Sequence, residues 1–469
     1  MADKEKQRDH ELIHSPFYHG LLPREDIKLM VGQPGDWLVR MTEPSGPGRR
    51  EYVISVCMDN NRNVCSLLAS SSWMTYRLNR LQLKHYVISK NKEGKFQLME
   101  KLSFDAIPDL VRHYQKEKIG DEGNVILKNI VQKAEWQLDH NDITLTKKLG
   151  EGAFGEVHRG TLEKVKRNGE KRTIDVAIKQ AKLDAMTKEQ VKEFMREARI
   201  MRQLEHPNII LMYGVAATQE PLMLVMALAK DGALDSYLVK HEPPIEKKTE
   251  MCIQAAFGIE HMHERNILHR DIAARNCLYG DGQVKLADFG LSRIGDSYQM
   301  NPKNRVPIRW LAPETLKTAA YSRKTDVWSY GVLAWEIYNN GADPYFPMSV
   351  AEVLKFVKGG NCLKLDDKAP KEVAELIEKS CFDVDAGKRQ SMRFIVERLA
   401  KIAKISVLDV SGKKTKTVEA NDDLRSSYNL GSGGASEMST KGTELTTPKK
   451  TGSNKKRVKK STLRNHQLT

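Results

Sequence analysis

The chain has 469 residues, 40% of them hydrophobic, which is too long for one ordinary core and apolar enough for several. The formal net charge is +15, but the last 69 residues contain 15 Lys or Arg and 6 Asp or Glu, so most of the excess lies in a tail. Six scattered cysteines without a CxxC pair, a charged N-terminus and no apolar run near about 18 residues exclude a disulfide scaffold, a signal peptide and a transmembrane segment.

The first third of the chain is predicted to combine short strands with two helices. Residues 1–14 are polar and are expected to form a disordered arm. The predicted elements are, in order, a helix opened by Pro23, strands over 35–40, 50–57 and 84–89, and a helix over 104–114. Arg40 ends the apolar strand, where a solvated arginine is the ordinary expectation.

The order of four motifs in this region, FYHG, WLVR, KHY and FDAIPDLVRHY, resembles a Src-homology 2 (SH2) domain over residues 15–131. The resemblance implies a central antiparallel sheet flanked by two helices, with Arg40 binding the phosphate of phosphotyrosine. The residues implied to support the phosphate are Arg24, Thr42 and His85. The sequence departs from the family because its usual FLVRES is WLVRMT here, and because Val87 stands where a basic residue is frequent.

A short polar connector, residues 132–141, contains one tryptophan, Trp136, which we expect to pack against one domain. A strand then leads into GEGAFGEV, in which Gly150, Gly152 and Gly155 form a GxGxxG pattern. A dinucleotide-binding fold is the obvious alternative, but its glycines lead into a helix, whereas more strand follows Gly155. The pattern therefore predicts a β-hairpin whose backbone covers nucleotide phosphates.

Two charged residues beyond this hairpin have the spacing of a functional pair. Lys179 closes the apolar strand Val-Ala-Ile-Lys, and Glu197 lies in a predicted helix over 189–204. A surface ion pair is the ordinary explanation for such a glutamate. The joint spacing with the glycine-rich hairpin favours a lysine that Glu197 holds on the nucleotide phosphates.

The segment HRDIAARN carries the most specific chemical pattern of the chain. Asp271 supplies a carboxylate that can orient a hydroxyl group and accept its proton, and Asn276 offers an amide oxygen to a metal ion. Asp288 follows in Asp-Phe-Gly as a second metal-binding group. HRD alone would mean little, but the spacing of all three groups predicts phosphoryl transfer.

These motifs resemble those of protein kinases, and the AAR within the loop is typical of the tyrosine-specific branch. The resemblance implies an α+β multidomain protein in which a bilobal kinase, with a β-rich small lobe and an α-rich large lobe, occupies residues 142–404. It implies ATP and Mg²⁺ as cofactors, with Asn276 and Asp288 as metal ligands. The implied catalytic residues are Asp271, Arg275, Asn276, Lys179 and Glu197. The implied nucleotide contacts are Leu149, Gly150, Gly152, Gly155, Val157, Ala177, Lys179, Met226 and Leu278.

The segment between Asp288 and Glu314 resembles a kinase activation segment closed by Ala-Pro-Glu, and its VPIRW is similar to the tyrosine-kinase substrate shelf. Its one tyrosine, Tyr298, is the implied regulatory phosphorylation site, because a phosphate there can pair with basic side chains. The candidate partners are Arg270, Arg293, Lys303 and Arg305. Two structural contacts are also implied, Asp326 beneath the catalytic loop and Arg389 with Glu314.

As a whole, residues 15–402 resemble the Fes/Fer subfamily of non-receptor tyrosine kinases, most clearly in WQLDHNDITLTKKLG, EARIMRQLEHPNI and KFVKGG. The long membrane-binding N-terminal region of that subfamily is not expected, because about 14 residues precede the SH2-like part. The short connector implies that phosphopeptide binding at Arg40 favours the Lys179–Glu197 pair.

Residues 405–469 are rich in Ser, Thr, Gly and Lys and are predicted to be a disordered tail. The basic cluster at 455–460 has three open interpretations: a solvated tail, a nuclear import signal, or a patch for anionic lipid. An inhibitory role for Tyr428, the only tyrosine of the tail, is a further hypothesis.

Three functions compete. The first is an active tyrosine kinase that modifies tyrosine in protein substrates and is directed to phosphotyrosine proteins by its SH2 domain. A pseudokinase adaptor is disfavoured because every catalytic position has the required residue type, and a nucleic-acid binder because the excess charge lies in the tail. We expect the first function, in the cytoplasm, with recruitment to the cell periphery or nucleus left open.

Overall fold

The computed structural model describes residues 10–42, 50–59, 81–100, 102–119, 125–152, 155–165, 169–181, 186–301 and 306–404. Outside these ranges lie Lys303, Arg305, Tyr428 and the basic cluster at 455–460. Within them, no helix combines the length and the apolar character needed to cross a membrane.

The N-terminal region is a five-stranded sheet between two helices. Its strands run in the order β4-β3-β2-β1-β5, with β1, β2 and β3 antiparallel and β5 parallel to β1. The elements are α1 (Arg24–Met30), β1 (Asp36–Thr42), β2 (Glu51–Asp59), β3 (Leu81–Lys90), β4 (Phe96–Gln97), α2 (Ile107–Tyr114) and β5 (Asn129–Ile130).

Alternation along β1 places the two helices on opposite faces of this sheet. Trp37 and Val39 pack with the apolar residues of α2, whereas Leu38 packs with Ile27 of α1. The prediction of an antiparallel sheet flanked by two helices is confirmed. Helix α2 begins at Ile107, three residues later than its apolar spacing predicts, because Phe104 pairs with β4 instead.

The second region begins with a six-stranded sheet in the order β6-β10-β11-β9-β8-β7, and one long helix, α3, packs against it. The glycine pattern lies on the β7–β8 hairpin, as predicted. Gly155 has φ +149°, and a Cβ there would lie 1.9 Å from the carbonyl oxygen of Gln180, so only glycine fits. The elements are β6 (Gln137–Leu138), β7 (Ile143–Gly152), β8 (Gly155–Val165), β9 (Lys171–Ala181), α3 (Lys188–Met201), β10 (Met212–Ala216) and β11 (Met223–Ala227).

The remaining part, up to residue 404, is mainly helical, which confirms the expected α-rich large lobe. Helices α5 and α7 are buried along most of their length and form its centre. Its helices are α4 (Leu234–His241), α5 (Ile245–Glu264), α6 (Pro313–Thr318), α7 (Arg323–Tyr338), α8 (Val350–Lys358), α9 (Lys371–Cys381) and α10 (Met392–Ile402). Its short strands are β12 (Ile267–Leu268), β13 (Cys277–Gly280), β14 (Gln283–Leu286), β15 (Arg293–Ile294), β16 (Ser297–Gln299) and β17 (Ala320–Ser322).

The N-terminal region docks on α3 and on the residues that directly follow strand β10. The amide of Leu21 donates to the carbonyl oxygen of Ala217 at 2.8 Å, and Gly20 lies so close that a Cβ would be 2.0 Å from the same oxygen. Asp26 of α1 is fully buried and accepts hydrogen bonds from Arg199 of α3 at 2.6 Å and from Arg202, the C-cap residue of that helix, at 3.1 Å. This ion pair network joins the two regions at the helix that carries Glu197.

The connector also belongs to the small lobe. Strand β6 pairs in parallel with β10, and the amide of Val215 donates to the carbonyl oxygen of Trp136 at 2.7 Å. The guanidinium of Arg202 stacks 4.0 Å above the Trp136 ring. The expectation that Trp136 packs against a domain is confirmed.

Candidate functional site

Lys179 and Glu197 form the predicted pair. Lys179 lies near the end of β9 and Glu197 on the inner face of α3, and the lysine Nζ is 2.8 Å from each carboxylate oxygen. Both side chains are largely removed from water. Burial alone would lower the pKa of Lys179, but the carboxylates of Glu197 and Asp288 outweigh it and raise that pKa, so the lysine is a cation.

One buried carboxylate, that of Asp326, anchors the backbone of the catalytic loop. Asp326, in the first turn of α7, accepts hydrogen bonds at 2.9 Å from the backbone amides of His269 and Arg270. It also accepts one from His263 at 3.0 Å. Burial would raise the pKa of Asp326, but these hydrogen bonds and the nearby histidine outweigh it and lower the pKa. The predicted support of the loop by Asp326 is confirmed.

Within the loop, Asp271 faces Arg275, whose Nη2 lies 2.5 Å from Asp271 Oδ1. The guanidinium of Arg275 also stacks 4.1 Å above the ring of Trp310. The side-chain amide of Asn276 donates to the backbone carbonyl of Asp271 at 2.8 Å, which leaves its own oxygen to accept another ligand. Asp271 and Asn276 are thus fixed relative to each other.

Glu336 supports this loop, although sequence reasoning did not single it out. Its Oε2 accepts hydrogen bonds at 3.0 Å from the amide of Ala274 and from the indole of Trp310. Burial raises the pKa of Glu336 to about 7. No local pattern marks this glutamate, because its partners are 62 and 26 residues away in the chain.

Asp288 completes the polar side of the site. Its backbone has φ +55° and its side chain is 56% exposed, with Oδ1 3.9 Å from the Nζ of Lys179. The amide of Ala287 donates to the carbonyl of Asn276, which ties the segment of Asp288 to the catalytic loop. Carboxylate and amide oxygens are the ligands that Mg²⁺ prefers, so Asp288 and Asn276 fit that ion.

The residues implied to contact nucleotide lie on neighbouring strands of the small lobe and at the start of the large lobe. Val157 is directly opposite Lys179, and Ala177 is opposite Met226. Leu278 lies on β13 and is half-buried, as is Met226, whereas Leu149 is exposed. A Cβ at Gly150 or Gly152 would meet nothing within 4 Å, so these two glycines border open space.

Tyr298 lies on β16 against two arginines. The guanidinium of Arg270 is 4.1 Å from the centre of the Tyr298 ring, and that of Arg293 is 5.2 Å away. A third arginine, Arg196 of α3, is close enough to Arg293 that burial and this repulsion lower its pKa to about 10. Of the expected basic partners, Arg270 and Arg293 lie beside Tyr298, whereas Lys303 and Arg305 lie outside the described residues. Arg389 pairs with Glu314 at 2.7 and 2.8 Å, as predicted.

A separate cavity of about 370 Å³ contains the four residues implied to bind phosphotyrosine: Arg24, Arg40, Thr42 and His85. Arg40 is only 2% exposed and donates to Ser55 Oγ at 3.2 Å and to the carbonyl of Leu22 at 3.1 Å. Ser55 also lies 2.9 Å from Nδ1 of His85 and so links the two, a role that sequence reasoning missed.

The charges in this cavity favour the binding of an anion. Burial, followed by repulsion from Arg24, lowers the pKa of Arg40 to about 10. Burial, together with Arg40 and Arg24, lowers the pKa of His85 to about 4, so this imidazole is neutral near pH 7. Neighbouring cations repel one another, and a bound anion relieves this repulsion, which makes its binding more favourable.

The fold and these two sites define an SH2 domain followed by a bilobal kinase, and comparisons with known proteins agree. The family described as "Protein tyrosine and serine/threonine kinase" matches residues 143–399, and the "SH2 domain" family matches residues 17–114. Fer-related kinase 1 of Caenorhabditis elegans is 33% identical over 83% of this chain and 94% of its own length.

Two further relatives give the same result. Spermatocyte protein spe-8 of Caenorhabditis briggsae is 33% identical over 88% of this chain and 75% of its own length. Tyrosine-protein kinase Fer of Mus musculus is 32% identical over 84% of this chain but only 44% of its own. The chain belongs to the Fer/Fes-type tyrosine kinases, in which an SH2 domain precedes an ATP-dependent protein tyrosine kinase domain.

Proposed function

We propose that this protein transfers the γ-phosphate of ATP to tyrosine hydroxyl groups of protein substrates with Asp271 as the base. One observation carries the assignment of residues: Lys179 lies 2.8 Å from both oxygens of Glu197 and 3.9 Å from Asp288, behind a glycine hairpin. This arrangement supports a clamp on the nucleotide phosphates beside a metal ligand.

In the proposed reaction, Lys179 binds the α- and β-phosphates and Glu197 keeps it in place. Asp271 accepts a hydrogen bond from the tyrosine hydroxyl and takes its proton as the oxygen attacks the γ-phosphorus. The bond between that phosphorus and the β-phosphate oxygen breaks, and ADP leaves. Arg275 orients Asp271. Asn276 and Asp288 would hold Mg²⁺, which when bound neutralises charge on the phosphates.

The test is Asp271→Asn in the full chain. Without the base, turnover on a tyrosine peptide should fall by about 10²–10⁴-fold, while ATP binding stays near that of the parent. Asp281→Asn is the matched control, because Asp281 lies in a surface turn and forms an exposed ion pair with Lys230. Turnover at the parent rate in Asp271→Asn would overturn the assignment of the base.

The SH2 domain is proposed to bind phosphotyrosine through Arg40, with Arg24, Thr42 and His85 around the phosphate. The buried guanidinium and the cationic cavity support this role. Tyr298 is proposed as the autophosphorylation site, because a phosphate there would meet Arg270 and Arg293.

Arg40→Leu should weaken binding of a phosphotyrosine peptide by roughly 2–5 kcal/mol, because the phosphate loses its buried partner. Fluorescence anisotropy with a panel of phosphopeptides measures this loss. Arg112→Leu serves as control, since Arg112 forms an exposed pair with Asp109 on the surface of α2. Equal affinities of parent and Arg40→Leu would place the pocket elsewhere.

The same proposal includes the limits of the domains and the cellular compartment of the protein. We assign residues 15–131 to the SH2 domain, 132–141 to the connector and 142–404 to the kinase domain. Within the described residues, Cys252, Cys277, Cys362 and Cys381 are free thiols, and all but Cys362 are buried. Such thiols support a reducing compartment, and we propose the cytoplasm.

A further inference from the structure

The phosphotyrosine cavity is not lined by the SH2 domain alone. Three residues of the kinase helix α3, Lys188, Val191 and Lys192, lie on its wall together with Arg24 and Arg40. The cavity therefore spans both domains, and the kinase contributes two of its cations.

The start of α3 holds these three residues in place. Positions i, i+3 and i+4 lie on one face of a helix, which is the spacing of Lys188, Val191 and Lys192. Val191 is buried in the same apolar cluster as Leu21 and Leu22 of the SH2 domain, which turns this face toward the cavity. A capping box between Thr187 and Gln190 fixes where the helix begins.

Charge on the cavity wall is strongly unbalanced. Among the described residues that line it are five Lys or Arg and a single acid, Glu25. One of the five, Arg50, already pairs with Glu220 at 2.6 Å. Lys192 is half-buried, so a charge there is screened less than at an open surface. Nothing in the catalytic mechanism uses Lys192, which lies five residues, about 1.4 helical turns, before Glu197.

We propose that Lys192, together with Lys188, is part of the phosphotyrosine site, so that the bound phosphate is held by both domains. The proposal rests on the proposed SH2 function and deepens it. A phosphopeptide then contacts α3 directly. Because Glu197 lies on the same helix, ligand binding is linked to the position of the residue that holds Lys179.

The experiment measures binding of a fluorescent peptide with one phosphotyrosine to the full chain at low salt, with phenyl phosphate as competitor. Lys192→Met keeps the length of the side chain and removes its charge, and should lower peptide affinity about 3–10-fold. Phenyl phosphate should lose affinity by a similar factor, because the lysine acts on the phosphate. Lys192→Arg should restore binding to within about twofold, and Lys192→Glu should weaken it more than Lys192→Met.

High salt and a control variant distinguish an electrostatic effect of Lys192→Met from a structural one. In about 0.5 M NaCl the ratio of the peptide affinities of parent and Lys192→Met should become smaller, since salt weakens a Coulomb interaction but leaves a packing defect unchanged. Lys371→Met is the control, because Lys371 is an exposed lysine that likewise begins a helix, α9. It should bind as the parent does.

The outcomes distinguish this inference from the proposed function. If the parent binds no phosphopeptide, the SH2 proposal itself fails. If the parent binds and Arg40→Leu does not, but Lys192→Met and Lys188→Met match the parent at low salt, only the shared site is refuted. A loss for the peptide without a loss for phenyl phosphate also refutes it, since the lysine would then contact another part of the peptide.

Discussion

The contact between Asp26 and helix α3 allows a direct test of coupling between the two domains. Asp26→Asn keeps the shape of the side chain but removes the charge that Arg199 and Arg202 share. These arginine side chains are only 14% and 17% exposed, so the substitution leaves two poorly solvated cations without a counter-charge. Breaking a fully buried pair costs about 3–5 kcal/mol, and the partial exposure here reduces this to roughly 2–3 kcal/mol.

This cost changes activity only to the extent that it differs between the protein with its SH2 domain docked on α3 and the protein with that domain undocked. If docking favours the position of α3 in which Glu197 holds Lys179 by about 1–3 kcal/mol, the initial rate should fall 5–150-fold. The assay compares initial rates of peptide phosphorylation by the full chain. Asp109→Asn is the control, because Asp109 makes an exposed pair worth about 0–1 kcal/mol. Equal rates for Asp26→Asn and this control would show that docking does not act on α3.

Three further predictions follow from the large lobe. Because burial raises the pKa of Glu336 to about 7, ionising this carboxyl group costs more free energy in the folded than in the unfolded state. The parent should therefore lose about 1–3 kcal/mol of stability relative to Glu336→Gln as the pH rises from about 4.5 to 7. Melting temperatures of the two proteins that change equally over this pH range would contradict this. Arg389→Met breaks a buried pair with Glu314 and should lower the melting temperature by roughly 6–15 °C, and an unchanged value would refute its structural role. Tyr298→Phe keeps the ring beside Arg270 but should abolish the increase in rate after preincubation with ATP, and equal activation of parent and variant would place the regulatory phosphate elsewhere.

Much of the architecture was predictable because its signals are local. Apolar alternation located β1, β2 and β3, and the residues after Gly155 indicated a hairpin rather than a helix. The Lys179–Glu197 pair was predictable because a strand-ending lysine and a helical glutamate keep a typical spacing. These patterns lie within short stretches of sequence, where periodicity and turn chemistry dominate.

The contacts that could not be predicted join residues distant in the chain. Asp26 and Arg199 are 173 positions apart, and nothing in the α1 sequence distinguishes Asp26 from an exposed helical acid. Ser55 and Glu336 are likewise ordinary residues in their own segments. Their burial follows from how whole elements pack, which local propensity does not determine.

The pairing of β6 with β10 has a consequence for how this chain can be divided. Removal of the residues before 139 deletes β6, after which β10 has only β11 as a neighbour and the amide of Val215 loses its acceptor. An unpaired edge strand of buried apolar residues is a template for association with another chain. A catalytic fragment should therefore begin before Ala134, whose amide donates to the side chain of Gln137. One that starts later should self-associate as its concentration rises, and its low activity would then report aggregation instead of lost regulation.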